Sequence, residues 1–399
     1  MSSEGSHRKR IGKPVTRAAI IALLLAAVLV ASRRAWTVGS APLAAVPADQ
    51  ATTTAAVEKA APAEPPAPMR LCERWETFTV RDGLPADKAN CVKVDGDRIW
   101  VGTDGGLAVY EGGAWRAYRT EDGLAHAVVL GLDVSPATGD LWIATLGGLC
   151  RFSGGRFDCF NQMNSGLAND VVYGVACASA DVWAATAAGA SRYRPESRAW
   201  AIFNTDNTLM FEPWTYGVTA SAEAIYLGVW GAGVVEYNLK TQRWRDYRDP
   251  DGEMELDLFK DDGLVHDVIP TVAYADGVLW AGSYFGLSRY DGRHWNTYFQ
   301  DDSGLASDFI NFVKARGPVV WICTDKGLSS FDGTTWVTYR VAAGGGELQI
   351  THGAQAVERR ALPRTIAHNY VLGVDLKGDD VWVATSMGVS HGRGGPVVR

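Results

Sequence analysis

The chain has 399 residues, with 38 Lys and Arg against 45 Asp and Glu, for a formal net charge of −7. That balance excludes the basic footprint of a nucleic-acid binder. Aromatics at 10% and 44 glycines suit many short strands and tight turns.

Residues 1–17 form a basic segment (Arg8, Lys9, Arg10, Lys13, Arg17) ahead of an uninterrupted apolar run from Ala18 to Ala31. Residues 18–32 read as a signal-anchor or signal-peptide helix with its N-terminus in the cytoplasm. The Arg33-Arg34 pair directly after the run, with no Ala-x-Ala site beside it, favours a retained anchor over a cleaved signal. Residues 33–69 are rich in Ala, Pro and Thr, cannot bury a core, and are expected to form a semi-extended linker.

From residue 70 onward the chain repeats. Its clearest unit runs from Asp262-Gly263-Leu264 through an apolar run to Tyr274. Val278-Leu279-Trp280-Ala281-Gly282, Leu287-Ser288-Arg289-Tyr290 and Trp295-Asn296-Thr297-Tyr298 follow. Four alternating runs separated by Gly and Asp turns predict four antiparallel strands. The second-strand aromatic recurs at Trp100, Trp142, Trp183, Tyr226, Trp280, Trp321 and Trp382, mostly 41 to 43 residues apart. That period with four strands per unit predicts an all-β, seven-bladed propeller over 70–399. The seventh unit stops one strand short after Gly388-Val389-Ser390, and Arg74-Trp75-Glu76-Thr77-Phe78 is a lone fourth strand at the other end. An N-terminal strand completing the last blade would remove two open sheet edges.

Cys150 and Cys159 flank a Ser153-Gly154-Gly155-Arg156 turn and fall opposite each other in a two-residue hairpin. A cross-strand disulfide is expected there, the alternative being two small residues on one face. Cys72 and Cys91 are a weaker pair, and Cys177 and Cys323 read as buried strand residues.

The Asp-Gly-Leu turn and the motif at Trp100-Val101-Gly102-Thr103-Asp104-Gly105-Gly106-Leu107 resemble the two-component regulator propeller repeat, as does Trp321-Ile322-Cys323-Thr324-Asp325-Lys326-Gly327-Leu328. The resemblance covers nearly everything from Trp75 and is specific for fold, since such repeats are structural. It implies the sensing half of a bacterial signalling system, with the ring in the periplasm on an inner-membrane anchor, or secreted if the helix is cleaved. With no kinase, receiver or DNA-binding segment in the chain, occupancy is expected to pass to a separate membrane signalling protein.

No local catalytic signature is present. Before the first strand of each blade a column of residues includes Asp87, Asp170 and Asp308, expected either as an acidic channel mouth or as turn caps. Blade four departs most from the repeat. Phe211, Glu212, Trp214 and Trp230, with Tyr284 and Phe285 of blade five and His266 and Asp267 at the rim, are expected to form an aromatic pocket on one face. Such platforms suit a small flat molecule or a glycan. A propeller lyase or glycan-active enzyme using His266, Asp267 and Glu212 is an alternative, as is a protein-interaction scaffold. Two insertions fall in the loops on that face. Asp249–Asp257 is acidic and reads as a solvated loop, with calcium the weaker alternative and no other cofactor expected. Ala342–Arg364 reads as a lid or partner contact. The ring is expected to be a monomer.

Overall fold

The computed structural model describes residues 69–252 and 260–397. They form seven sheets, six of four strands and one of six. Each blade is an up-and-down meander. Blade one runs Ala89–Asp95, Arg98–Thr103, Gly106–Glu111 and Ala114–Tyr118. The first strands of successive blades pack side by side around the centre. The expected anchor and linker, residues 1–68, lie outside the described residues.

The repeat motif folds as its chemistry requires. The second-strand aromatic is buried in every blade and packs on its neighbour: Trp183, for example, stacks on Phe203 at 5.0 Å and reaches Tyr237 of blade four. Burying such a ring between blades is the main apolar contribution each repeat makes. The threonine three residues on ties the following turn. Thr103, Thr145, Thr186, Thr324 and Thr385 each donate to the carbonyl of the glycine three residues later, at 2.7 to 2.9 Å. That glycine is obligatory: Gly148 has φ +127°, and a Cβ on it would meet the Phe160 carbonyl oxygen at 2.2 Å.

Blade seven combines both ends of the described chain. Its strand order is Arg70–Phe78, Gly388–Val397, Asp380–Thr385, Val371–Lys377, with Phe78 opposite Val389 and Arg70 opposite Val397. The third strand continues seven residues past the Ser390 end of the repeat pattern.

Blade six corrects one expectation. The Ala342–Arg364 insertion is not a lid: Gly345–His352 and Gln355–Leu362 form a hairpin that extends the blade outward by two strands. Its alternation is the reason. Leu348, Ile350 and Leu362 face one side and join Leu71, Cys72, Trp75 and Tyr339 in a single buried cluster. Cys72 and Cys91 are both free thiols in separate blades, whereas Cys150 and Cys159 are disulfide-bonded at a Cα separation of 4.0 Å. Cys323 is buried and Cys177 only half-buried.

Candidate functional site

The centre of the ring is a cavity of about 620 Å³. What lines it follows from a repeated irregularity. In six blades the first strand opens with a β-bulge, and the bulged residue is Asn90, Leu130, Tyr173, Tyr216, Asn311 or Leu372. A bulge turns its extra residue out of the pleat, and here all six line the cavity. Glycine follows four of the six because the inner strands crowd there. A Cβ on Gly217 would lie 3.1 Å from the Pro270 carbonyl oxygen of the next blade.

Tyr173 and Tyr216 stack at 4.2 Å and 19°. Trp230 lies against Tyr216 at 5.5 Å and edge-on to Tyr284 at 5.6 Å, and Tyr284 stacks on Phe309 at 4.1 Å and 2°. Five rings therefore form one arc across blades three to six. Burial pushes the phenols of Tyr216 and Tyr284 up, the latter to about 12, so both are neutral at physiological pH.

The turn that carries Trp230 is one residue longer than its counterparts and has Val229 in place of the tying threonine. Pairing with neighbouring loops fixes it instead. The Trp230 N–H donates to the Trp214 carbonyl at 2.9 Å, and Trp230 bridges Val268 of blade five.

The pocket expected from the sequence is divided. Only Trp230 and Tyr284 belong to the arc. Phe211 is exposed, and the Arg248 guanidinium covers its ring at 4.0 Å. Phe285 stacks on the buried His266 at 4.2 Å. Trp214 is half-buried and takes part through its carbonyl, and Glu212 is half-buried beside Gly231. His266 Nδ1 accepts the Val268 N–H at 2.8 Å, and His126 and His368, each three residues ahead of its strand, likewise accept the N–H two residues on. The histidine thus occupies a turn-capping position that the repeat fills with His, Asn169 or Ser307.

The aspartate column is a second set of caps and does not line the cavity. Asp87, Asp170, Asp267 and Asp308 accept the backbone N–H of Val80, Gln162, Asp249 and Gln300 at 2.7 to 2.9 Å, and Asn369 accepts that of Val341. A clasp of the preceding loop to the strand needs an oxygen acceptor, so an amide serves as well as a carboxylate. Among the described residues no three His, Cys, Asp or Glu gather to hold a metal. Residues 253–259 of the acidic loop lie outside the described residues.

Deeper in the channel is a ring that sequence reasoning missed. Opposite the second-strand aromatics stand Lys93, Asp133, Ala176, Thr219, Ala273, Lys314 and Asp375. Lys93 pairs with Asp133 at 2.6 Å and Lys314 with Asp375 at 3.3 Å. The spare oxygens of Asp133 and Asp375 accept the Cys177 and Val94 N–H groups, both at 2.8 Å. These contacts staple blades six, seven, one, two and three. The signal was available, since in six blades the position lies seven residues before the aromatic.

No family model and no curated protein matches the sequence. Solved structures do. The extracellular domain of a hybrid two-component system of B. thetaiotaomicron aligns with TM-score 0.62 and 15% identity, over 81% of this chain and 42% of that one. The extracellular domain of a one-component system of the same organism gives 0.58 and 16%, over 81% and 40%. The fold is the propeller found in those extracellular domains. It agrees with the resemblance of the repeats to the two-component regulator propeller. The chain spans about two fifths of the length of those domains. Virginiamycin B lyase of Staphylococcus aureus is also similar, with TM-score 0.54 and 11% identity over 80% of this chain and 97% of that one. At such identities the likeness is one of fold.

Proposed function

We propose that this ring is an extracytoplasmic, non-catalytic sensing propeller, tethered to the membrane through its N-terminal apolar segment. It binds a small organic or glycan ligand at the channel mouth and passes occupancy to a membrane signalling partner. One observation carries the reading: half-exposed aromatic rings of four blades meet in an arc, and three of them, Tyr173, Tyr216 and Tyr284, line the cavity with Trp230 packed behind Tyr216 and Tyr284. A repeat that needs only to pack gains nothing from large rings there, and an aromatic wall with hydroxyls fits ligand recognition. Two of the similar structures are the extracellular domains of signalling systems, which favours sensing. The lyase reading has less to stand on, since His266 Nδ1 and one Asp267 oxygen are both committed to backbone N–H groups.

The test is a small-molecule screen on the full chain, read by tryptophan emission and melting temperature. A hit that Trp230→Ala weakens at least fivefold supports the reading. Hits that ignore both Trp230→Ala and Tyr284→Ala would remove the arc as the site.

A further inference from the structure

We infer that the mouth selects an uncharged ligand bearing a flat ring, seated on the blade three-to-five side of the cavity. This rests on the arc being the binding wall.

Four charged side chains line the cavity, Lys88, Lys93, Asp133 and Lys314. Each is already neutralised. Lys93 meets Asp133 at 2.6 Å, Lys314 meets Asp375 at 3.3 Å, and Lys88, at the rim, meets Asp104 at 3.2 Å. The carboxylates are held in turn: Asp133 and Asp375 by backbone N–H groups of the next blade, Asp104 by the Asn90 amide at 2.8 Å. A carboxylate or ammonium ligand would lose hydration on entering and find no unpaired counter-charge. To gain one it would have to break a pair and leave the displaced group unpaired.

The charges are also confined to one side. Blades six, seven, one and two carry Lys314, Asp375, Lys93 and Asp133, whereas blades three, four and five carry Ala176, Thr219 and Ala273. The small side chains leave room directly below Tyr173 and Tyr216. A flat ring can therefore lie against the tyrosines with its edge directed at the small-residue side. Hydroxyl or carbonyl substituents would meet the phenols and the Thr219 hydroxyl. The Tyr216 phenol stays protonated, so it donates to a neutral acceptor and presents no anion to a cation.

The experiment uses matched monocyclic probes on the full chain: benzyl alcohol and benzamide as neutral members, benzoate as the anion and benzylammonium as the cation. Binding is read by Trp emission, with Trp230→Ala as the reference for specificity. The neutral pair should bind at least tenfold more tightly than either ion. Asp133→Asn should raise benzoate affinity about tenfold by freeing Lys93, with benzamide unchanged. If that variant fails to fold, Asp104→Asn, at the exposed rim pair, should raise benzoate affinity by freeing Lys88. Equal or tighter binding of benzoate or benzylammonium to the unaltered chain overturns the inference and leaves the arc as a site. If no probe responds to Trp230→Ala, both fall.

Discussion

Arg360, on the outermost strand of blade six, forms an ion pair with Glu73, on the strand that enters blade seven from the other end of the chain. Both side chains are more than a third exposed, so the pair contributes little by itself. Its importance is positional. Beneath it Leu348, Ile350 and Leu362 of the inserted hairpin cover Leu71, Cys72 and Trp75, and the Tyr339 hydroxyl accepts the Cys72 N–H at 2.9 Å. The hairpin is a clasp over the closing strand.

Removal of that strand is accordingly expected to be severe. Deleting Leu71–Val80 exposes the long Gly388–Val397 edge and the hairpin's apolar face together. The melting temperature should fall by well over 5 °C. Leu348→Ala, at a fully buried position, should cost about 2 to 5 kcal/mol in chemical denaturation. A truncated ring that melts within a degree or two of the intact one would show that the exchanged strand contributes nothing to closure.

The arc and the core separate by ranking two tryptophans. Trp230 is half-buried against Tyr216 and Tyr284, whereas Trp280 is 5% exposed between blades. Trp280→Ala should cost roughly 3 to 5 kcal/mol of stability. Trp230→Ala should cost much less stability and about 1 to 3 kcal/mol of ligand affinity. The reverse order in urea titrations would make Trp230 a core residue only.

The aspartate column answers to acceptor chemistry rather than charge. Asp308 accepts the Gln300 N–H at 2.7 Å, the role Asn369 fills with an amide in blade seven. Asp308→Asn should leave stability within about 0.5 kcal/mol, while Asp308→Ala should lose about 1 to 2 kcal/mol, as when a turn cap is removed. Equal losses for both variants would restore a role for the carboxylate charge.

Acid should favour one corner of the ring. Burial pushes the Asp249 carboxyl up to about 6, and the nearby Asp251 carboxylate adds to the effect, although the Gly252 and Asp251 N–H groups oppose it. An Asp whose folded pKa is raised binds more protons folded than unfolded between about pH 4 and pH 6. Its contribution is therefore greatest at low pH and lost as pH rises through 6. Asp249→Asn keeps the acceptor oxygen for those amides, so it should raise stability near pH 7 by about 1 kcal/mol and flatten the pH profile over that window. A lower melting temperature for Asp249→Asn at pH 7 than at pH 4, relative to the unaltered chain, would contradict this.

Reduction of the Cys150–Cys159 bridge should be mild. The two cysteines are nine residues apart, and a loop that short limits the chain-entropy effect to about 2 to 3 kcal/mol. Melting with and without a reductant measures it, and loss of the whole fold on reduction would mean that the bridge does more than shorten the unfolded chain.

The number of blades, the four-strand order of the basic repeat and its phase are all legible in the sequence. Those features depend on short-range patterns: period-two alternation, glycines at positive φ, and one large ring per blade, mostly 41 to 43 residues apart. A blade's strands are neighbours in sequence, so local chemistry suffices. The channel depended on other information. Bulges move Tyr173 and Tyr216 off the alternating pattern and into the mouth, so their destination is invisible until the ladder register is known. Phe309 and Tyr284 lie 25 residues apart and stack only because two blades converge. The Val94 N–H and the Asp375 carboxylate, 281 residues apart, meet at 2.8 Å across the closure between blades one and seven. The hairpin of blade six shows the same limit. Its alternation is plain in Leu348 and Ile350, yet only packing against a strand from the far end of the chain gives that face something to bury against. Short-range rules build the blades, and ring closure chooses which side chains from distant blades share the cavity.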